Sequence, residues 1–267
     1  MSPATPAPRS FRVALVQSTL VWHDADANRA IFEGLLAPLT GKADLVVLPE
    51  MFTTGFTMEP EAVAEPPAGD TQLWMLSEAK RLDAAVTGSH ACRDGDHHYN
   101  RLLWTTPDGA VRHYDKRHLF RMAGEHQRYS PGAELVVAHW RGVRFALQVC
   151  YDLRFPVWSR RRTAYDYDVL IYVANWPAVR REAWRALLIA RAIENQCYVV
   201  GVNRIGQDGK GLDYSGDSLV VDPRGQLLAD PREASGVAIA RLDIAALNEF
   251  RDRFPAHLDA DRFTLVE

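Results

Sequence analysis

The amino-acid sequence predicts an α/β fold, in which strands and helices alternate along the chain. Apolar, β-branched segments bounded by turn-forming residues are typical of strands, and segments with apolar residues at helical spacing lie between several of them. Several strand segments are nearly continuous apolar runs, as expected for sheets covered on both faces. The chain has 267 residues, of which 47% are hydrophobic. This length and composition suffice for a large core.

The strand segments are predicted from their apolar and β-branched content and from the breakers that flank them. In chain order they lie at residues 11–17, 44–48, 84–89, 101–105, 110–114, 143–149, 169–174, 198–203, 217–221 and 237–242.

Three helices are predicted between these strands. In residues 31–39 and 71–83, apolar residues recur at helical spacing along one face, which indicates helices packed on a sheet surface. Residues 182–196 carry apolar side chains on two adjoining stripes, one with Ile189 and Ile193 and the other with Trp184 and Leu188. Few polar positions remain, so this helix is expected to be largely buried.

The domain organisation is predicted to be simple. Residues 1–10 are rich in proline and alanine and lack the apolar core of a signal peptide, which indicates a flexible arm. No repeat or low-complexity linker divides the rest, and no apolar run reaches membrane length. A single domain is therefore expected over residues 11–267.

Charge and cysteine content exclude several classes of function. Lys and Arg number 31 against 34 Asp and Glu, a net charge of −3 without a basic block, so nucleic acid and membrane surfaces are not expected partners. Cys92, Cys150 and Cys197 have no CxxC spacing, which favours free thiols in a reducing cytoplasm. The adjacent His97 and His98 would point to opposite faces of a strand and make a poor metal site. No dinucleotide or Walker fingerprint is present.

Three reactive residues each follow an apolar strand. Glu50 comes after residues 44–48, Lys116 after residues 110–114, and Cys150 after residues 143–149. In open α/β sheets the carboxyl ends of strands line the ligand crevice. A nucleophile, a base and a cation are the groups that covalent acyl transfer requires. The arrangement indicates a thiol hydrolase.

Cys150 has both a structural and a functional interpretation. A lone cysteine at a strand end is commonly a small buried hydrophobe. The polar, bulky residues 151–156 break the strand, however, so the thiol is expected on a strand-to-helix turn, exposed and with its pKa lowered by helix N-terminal amides. Cys92, expected in a polar loop, and Cys197, at the entry to a strand, lack this setting.

Glu50 and Lys116 likewise allow two interpretations. Glu50 has apolar neighbours on both sides in Leu48-Pro49 and Met51-Phe52, which favours a desolvated general base over a solvated strand end. Lys116 either faces water within a charged loop or lies buried beside Glu50, where it could bind an oxyanion. The residues alone leave both possibilities for the lysine open.

These motifs resemble a known family. The segments Leu48-Pro49-Glu50, 114–120 (YDKRHLF) and 150–156 (CYDLRFP) are similar to the three signatures of the nitrilase superfamily of carbon-nitrogen hydrolases. The similarity extends from residues 11–17 to residues 195–204, nearly the whole chain.

The resemblance implies a one-domain αββα sandwich, usually paired through its outer helices into a homodimer, and no metal or organic cofactor. By position it implies Cys150 as nucleophile, Glu50 as general base, and Lys116 with the Tyr151 backbone amide as oxyanion stabilisers. Glu125 falls where the family places a second structural or catalytic glutamate.

Residues 117–126 and 253–256 are further similar to the bacterial omega-amidase branch, whose members hydrolyse 2-oxoglutaramate or 2-oxosuccinamate to the 2-oxo acid and ammonia. Such a small-molecule substrate carries a carboxylate, for which Arg154 is the candidate partner. Arg154 could instead form an ion pair with Asp152, and Trp176 could form a pocket wall or plain core.

Other functions remain open from the sequence. An N-carbamoyl amino acid hydrolase or an aliphatic nitrilase would use the same three residues on another carbon-nitrogen bond. A thiol redox sensor would leave Glu50 and Lys116 unexplained, and an inactive binding module would not need all three.

Overall fold

The computed structural model of the protein describes residues 10–265 and contains two six-stranded sheets. All of the predicted arm except Ser10 lies outside the described residues. In chain order the strands are β1 (Phe11–Gln17), β2 (Leu45–Val47), β3 (Ala85–Asp94), β4 (His97–Thr105), β5 (Val111–Asp115), β6 (Val137–Trp140), β7 (Val143–Val149), β8 (Val169–Ala174), β9 (Tyr198–Asn203), β10 (Ile205–Gln207), β11 (Asp213–Ser215), β12 (Ser218–Val221), β13 (Leu227–Arg232) and β14 (Gly236–Leu242).

The strand order is β14-β1-β2-β3-β4-β5 in the first sheet and β13-β12-β9-β8-β7-β6 in the second. Strands β1, β2 and β3 run parallel, as do β7, β8 and β9, and antiparallel strands flank each parallel centre. Strands β10 and β11 form a separate hairpin. The parallel centres direct several carboxyl ends to one edge of each sheet.

The helices are α1 (Ala25–Leu36), α2 (Pro60–Val63), α3 (Asp70–Leu82), α4 (Pro156–Ser159), α5 (Arg181–Asn195) and α6 (Ile244–Arg253). Helix α1 begins earlier than predicted because Asp24 caps it, accepting a hydrogen bond from the Ala27 amide at 2.9 Å. Leu39 falls in a separate 3₁₀ turn, Ala37–Leu39, which contains Pro38. No helix within residues 10–265 is long and apolar enough to cross a membrane.

The two sheets pack face to face between layers of helix. Val13 and Leu15 of β1 join the core between the sheets, where the rings of Phe11 and Phe145 lie 5.3 Å apart. The alternate residues of β1, Ala14 and Val16, pack against α1 and α3. The predicted α/β class and four-layer sandwich are confirmed.

Helix α5 is not largely buried, so this prediction was wrong. Trp184 and Leu188 pack against the second sheet, but on the other stripe Ile189 and Ala190 are only half-buried and Ala186 and Ile193 are exposed, Ile193 to 51%. A helix on the outside of a sheet has one covered face, whatever the composition of its other face.

Strand β3 is longer than predicted and places Cys92 in a strand instead of a polar loop. It continues through Asp94 and turns at Gly95, whose φ is 58°, into β4. Cys92 is fully buried there. Backbone hydrogen bonds between β3 and β4 extend the strand into its polar end.

Candidate active site

The predicted catalytic residues meet where strands of both sheets end. Lys116 directly follows β5 and Cys150 directly follows β7, while Glu50 comes three residues after β2. Glu125 begins the short 3₁₀ helix Glu125–Gln127. The first sheet therefore supplies the carboxylate and the cation, and the second sheet supplies the thiol.

Lys116 lies between the two glutamates. Its Nζ is 2.9 Å from Glu50 Oε1 and 3.0 Å from each carboxylate oxygen of Glu125. All three side chains are fully buried. The water-facing interpretation of Lys116 is therefore wrong, and the lysine lies beside Glu50.

The charge of Lys116 is stabilised in spite of its burial. Burial alone lowers the pKa of a lysine, but the charges of Glu125 and Glu50 outweigh it and raise the pKa of Lys116 well above its usual value. Burial also raises the pKa of Glu125, against the opposing charge of Lys116. The ring of Phe56, centred 5.0 Å from Nζ, covers the ammonium.

Two asparagines that sequence reasoning missed hold Glu50. Asn100 Nδ2 donates to Glu50 Oε1 at 2.7 Å, and the Asn175 backbone N–H donates to Oε2 at 2.7 Å. The Asn175 side chain also donates to the Glu50 carbonyl. An asparagine side chain is not chemically reactive. Only their positions, Asn100 within β4 and Asn175 directly after β8, could have indicated a role.

Cys150 differs from its predicted setting. It does lie on a strand-to-helix turn, as the first residue of the 3₁₀ helix Cys150–Arg154, and its φ is 44°. The side chain is only 8% exposed, however. Burial raises the pKa of the thiol well above its usual value, and the adjacent Glu50 carboxylate raises it further, against the opposing charge of Lys116. The expected lowering is absent because desolvation outweighs the amides of so short a helix.

Asp152 connects the turn that carries Cys150 to the loop that follows Lys116. This fully buried carboxylate accepts hydrogen bonds from the Val149 amide at 3.0 Å, the Tyr114 hydroxyl at 2.7 Å, and the His118 amide at 2.9 Å. His118 Nδ1 is a further 2.8 Å partner. With these contacts Asp152 does not pair with Arg154, so the alternative of an Arg154–Asp152 ion pair is wrong.

The Tyr151 amide lies in the first turn of the 3₁₀ helix. Backbone N–H groups at a helix start have no acceptor within the helix. The amide is thus available next to the thiol, as an oxyanion site requires. The Tyr151 ring stands edge-on to Phe120 and Phe155, with centroids 5.1 Å away in each case.

A pocket opens above Cys150. It contains about 830 Å³ of empty space, its mouth included, and three cationic residues line it: Arg154, Arg180 and Lys210. The one acidic residue in the lining, Asp208, has its oxygens engaged by the amides of Lys210 and Leu212 and by the Tyr214 hydroxyl.

The predicted substrate-binding residues lie in this pocket. Trp176 is a wall residue, buried except for 3%, and its Nε1 donates to the Arg180 carbonyl at 2.8 Å. Arg154 is exposed, and its guanidinium lies 4.9 Å from the centre of the Trp176 ring. No acidic side chain in residues 10–265 forms an ion pair with Arg154. The pocket thus combines an apolar wall with positive charge beside the thiol.

Comparisons with known proteins agree with this geometry. A sequence model described as Carbon-nitrogen hydrolase matches residues 12–252. Omega-amidase YafV of Escherichia coli (strain K12) is 49% identical over 257 residues, which cover 96% of this chain and 98% of that protein. The 2-oxoglutaramate amidase of Bacillus subtilis is 36% identical over 220 residues, covering 81% and 85%.

A solved structure is similar as well. The structure of XC1258 from Xanthomonas campestris, described as a CN-hydrolase superfamily protein with an arsenic adduct in the active site, has a TM-score of 0.95 at 49% identity. It covers 97% of this chain and 100% of its own.

Proposed function

The chain belongs to the carbon-nitrogen hydrolase family, and we propose that it hydrolyses the terminal amide of a small 2-oxo acid amide, such as 2-oxoglutaramate or 2-oxosuccinamate, through an acyl group carried on Cys150. The observation that carries the proposal is the buried Glu50–Lys116–Glu125 group beside a thiol that opens into a cationic pocket. The omega-amidase and 2-oxoglutaramate amidase relatives support the amide as substrate.

The resting thiol requires a base. Because its raised pKa keeps Cys150 protonated, Glu50 takes the thiol proton as sulfur attacks the amide carbon. The carbon–nitrogen bond then breaks, Glu50 returns the proton to nitrogen, and ammonia leaves. Water attacks the thioester, with Glu50 as base again, and releases the acid and the thiol.

The oxyanion of each tetrahedral intermediate needs positive partners. Glu125 and Glu50 raise the pKa of Lys116 against its burial, so Lys116 is charged at neutral pH, and the Tyr151 amide supplies a second donor. Glu125 holds Lys116 in place through two contacts of 3.0 Å. Asn100 donates to both glutamates, at 2.7 Å to Glu50 and 3.3 Å to Glu125, and so fixes their separation.

The substrate carboxylate fits the cationic side of the pocket. Arg154 presents two parallel N–H donors that match a carboxylate, and its stacking on Trp176 orients the guanidinium plane. Arg180 and Lys210 add positive charge around the same pocket. Glutamine would bring an α-ammonium group into this field, so a 2-oxo acid amide is favoured over an amino acid amide.

We place the enzyme in the reducing cytoplasm. Cys92, Cys150 and Cys197 are all free thiols. A cysteine nucleophile must remain reduced to act, and a reducing compartment supplies this condition.

The test is ammonia release by the purified protein from 2-oxoglutaramate, glutamine, an N-carbamoyl amino acid and an aliphatic nitrile at equal concentrations. We expect kcat/KM for 2-oxoglutaramate to exceed the others by at least about tenfold, and Cys150→Ala to remove the activity. Faster turnover of the carbamoyl compound or the nitrile would assign the enzyme to those activities instead. Unchanged ammonia release by Cys150→Ala would remove the thiol from the reaction.

A further inference from the structure

Asn203, the last residue of β9, binds the backbone N–H and the backbone carbonyl of Trp176 near the site. Its Oδ1 accepts from the Trp176 amide at 2.8 Å, and its Nδ2 donates to the Trp176 carbonyl at 3.0 Å. Nδ2 also donates to the Gly216 carbonyl at 2.7 Å. The residue is 1% exposed, and every polar atom of its side chain is satisfied.

Trp176, whose backbone Asn203 binds, directly follows Asn175, whose backbone N–H holds Glu50. Within residues 10–265, Glu50 Oε2 accepts a hydrogen bond from one nitrogen. That donor is the backbone N–H of Asn175. The other oxygen of Glu50 is held by Asn100 and Lys116. The position of Oε2 therefore depends on where the chain turns after β8.

Asn203 is itself fixed from the other sheet. Its backbone N–H donates to Ser218 Oγ at 3.0 Å, and Ser218 donates to Gln17 Oε1 at 2.7 Å. Gln17 ends β1 in the first sheet, and its Nε2 donates to the carbonyl of Arg232 at the end of β13 and to that of Ala234 in the turn after it. All three side chains are almost fully buried. Buried polar chains of this kind hold one geometry because any shift leaves a desolvated group unpaired.

We propose that Asn203 is a positioning residue for the general base: by binding the backbone N–H and carbonyl of Trp176, it sets the preceding Asn175 N–H that orients Glu50 Oε2. The proposal rests on the proposed function in assigning Glu50 the role of base. Asn203 is not in the pocket lining and does not bond to the thiol, so its effect on Glu50 passes through the segment Asn175–Trp176. A misplacement of about 1 Å in such a base costs about a hundredfold in rate.

The chain offers a matched control in Asn195. This asparagine is 2% exposed, its Oδ1 accepts from the Arg161 amide at 2.8 Å, and its Nδ2 donates to the Arg191 carbonyl at 3.0 Å. Like Asn203 it is a buried asparagine whose carboxamide bonds to backbone groups, but neither of its two partners is a residue of the site. The variants Asn203→Ala and Asn195→Ala should therefore lose similar folding stability.

The experiment compares three quantities in the two variants: the melting temperature, kcat and KM for 2-oxoglutaramate, and the rate at which iodoacetamide alkylates Cys150. For Asn203→Ala we expect kcat to fall about 10- to 100-fold with KM within about threefold, and alkylation to slow in parallel. For Asn195→Ala we expect both rates within about twofold of the original protein. Alkylation needs no substrate, so it tests Asn203 even if 2-oxoglutaramate is not hydrolysed.

Two results would overturn the proposal. One is an equal effect of the two substitutions on kcat and on alkylation, and the other is a change in KM alone. If Asn203→Ala does not fold, Ser218→Ala takes its place, because it removes the acceptor of the Asn203 amide and leaves the carboxamide intact. It must then slow alkylation relative to Asn195→Ala, and a rate unchanged from the original protein would equally refute the role.

Discussion

At the scale of single residues, burial sets the resting ionisation of the site. It raises the pKa of the Cys150 thiol, and it would discharge Lys116 if two glutamates did not raise the pKa of that lysine instead. The site therefore holds a protonated thiol beside a charged lysine. Catalysis in such a site depends on a carboxylate that can accept the thiol proton.

Glu50→Gln tests this dependence. An amide cannot accept the thiol proton at neutral pH, so acyl-enzyme formation should slow by about 10²- to 10⁴-fold, and not merely weaken substrate binding. Mass spectrometry of the protein after mixing with 2-oxoglutaramate measures the adduct.

Glu78→Gln is the matched control for that experiment. Glu78 is also a buried glutamate, 6% exposed and paired with Arg81, but it belongs to α3. This variant should form the adduct at the original rate. An adduct forming at that rate in Glu50→Gln would show that another group is the base.

Arg154→Ala tests recognition of the carboxylate. A hydrogen-bonded charge contact contributes about 1.5–3 kcal/mol, so kcat/KM should fall about 10- to 100-fold for 2-oxoglutaramate. It should change little for butyramide, which has no carboxylate. Arg154 has no ion-pair partner in the described chain, so the melting temperature should stay within about 2 °C. An equal loss on both substrates would contradict a role in recognition.

The sequence predicted the reactive residues better than their supports. Glu50, Lys116 and Cys150 were identifiable because each is a reactive type directly after an apolar strand, and Glu125 only through the family resemblance. Asn100 lies inside a strand, and asparagine alone predicts no chemistry. The pKa of Cys150 was wrongly predicted because the depth of burial depends on residues distant in sequence.

At the scale of elements, α5 packs on β9 through a position without a side chain. A Cβ at Gly201 would lie 2.5 Å from Leu188 Cδ1 and 2.9 Å from Trp184. This close contact holds α5 against the second sheet, in which Cys150 directly follows β7 and Asn203 ends β9. The sheet against which α5 packs is therefore the same sheet that positions these two residues of the site.

Gly201→Ala should destabilise the protein by about 1–3 kcal/mol through overpacking. Gly34→Ala is the control: this glycine lies inside α1 with nothing within 4 Å of an added Cβ, and the substitution should stabilise by about 0.5–1 kcal/mol. Urea unfolding of both variants measures the two effects. A neutral Gly201→Ala would show that α5 can move away from the sheet at little cost.

Element prediction was best in the parallel centre of the second sheet, and it missed the two edge strands of that sheet, β6 and β13. Strands β7, β8 and β9 are continuous apolar runs whose bounds match the prediction. Strand β13 contains Pro231 and polar residues, and an edge strand tolerates both because one side needs no partner. Most residues of β13 are exposed or half-buried, so its sequence lacks the apolar pattern of a buried strand.

At the scale of the whole molecule, His90 makes stability depend on pH. Burial lowers the pKa of this histidine from 6.5 to about 4. As the pH falls below 6.5, His90 is protonated in the unfolded chain but stays neutral in the folded chain until about pH 4. The folded state therefore loses stability on acidification. From pH 7 to pH 5 the loss attributable to His90 is about 2 kcal/mol. Urea unfolding at both pH values should show His90→Gln losing correspondingly less, and an unchanged difference would contradict the assignment.

A homodimer is the assembly that we expect. The family resemblance implies pairing through outer helices, and the outward stripe of α5 with Ile189 and Ile193 provides an apolar surface for it. Analytical ultracentrifugation should give twice the mass of the 30.0 kDa chain. Ile193→Glu should shift the equilibrium toward monomer, and a monomeric original protein at micromolar concentration would refute the expectation.

The division of the site between the two sheets has a consequence for synthesis on the ribosome. Glu50 and Lys116 are made in the first half of the chain, whereas Cys150, Asn175 and Asn203 follow later. A nascent chain that has folded its first strands carries the Glu50 carboxylate and the Lys116 ammonium without the thiol. When the thiol emerges, the strands that bury it have still to be translated. We therefore expect hydrolytic activity to arise only near the end of translation, and a proteolytic fragment that keeps one sheet alone to be inactive.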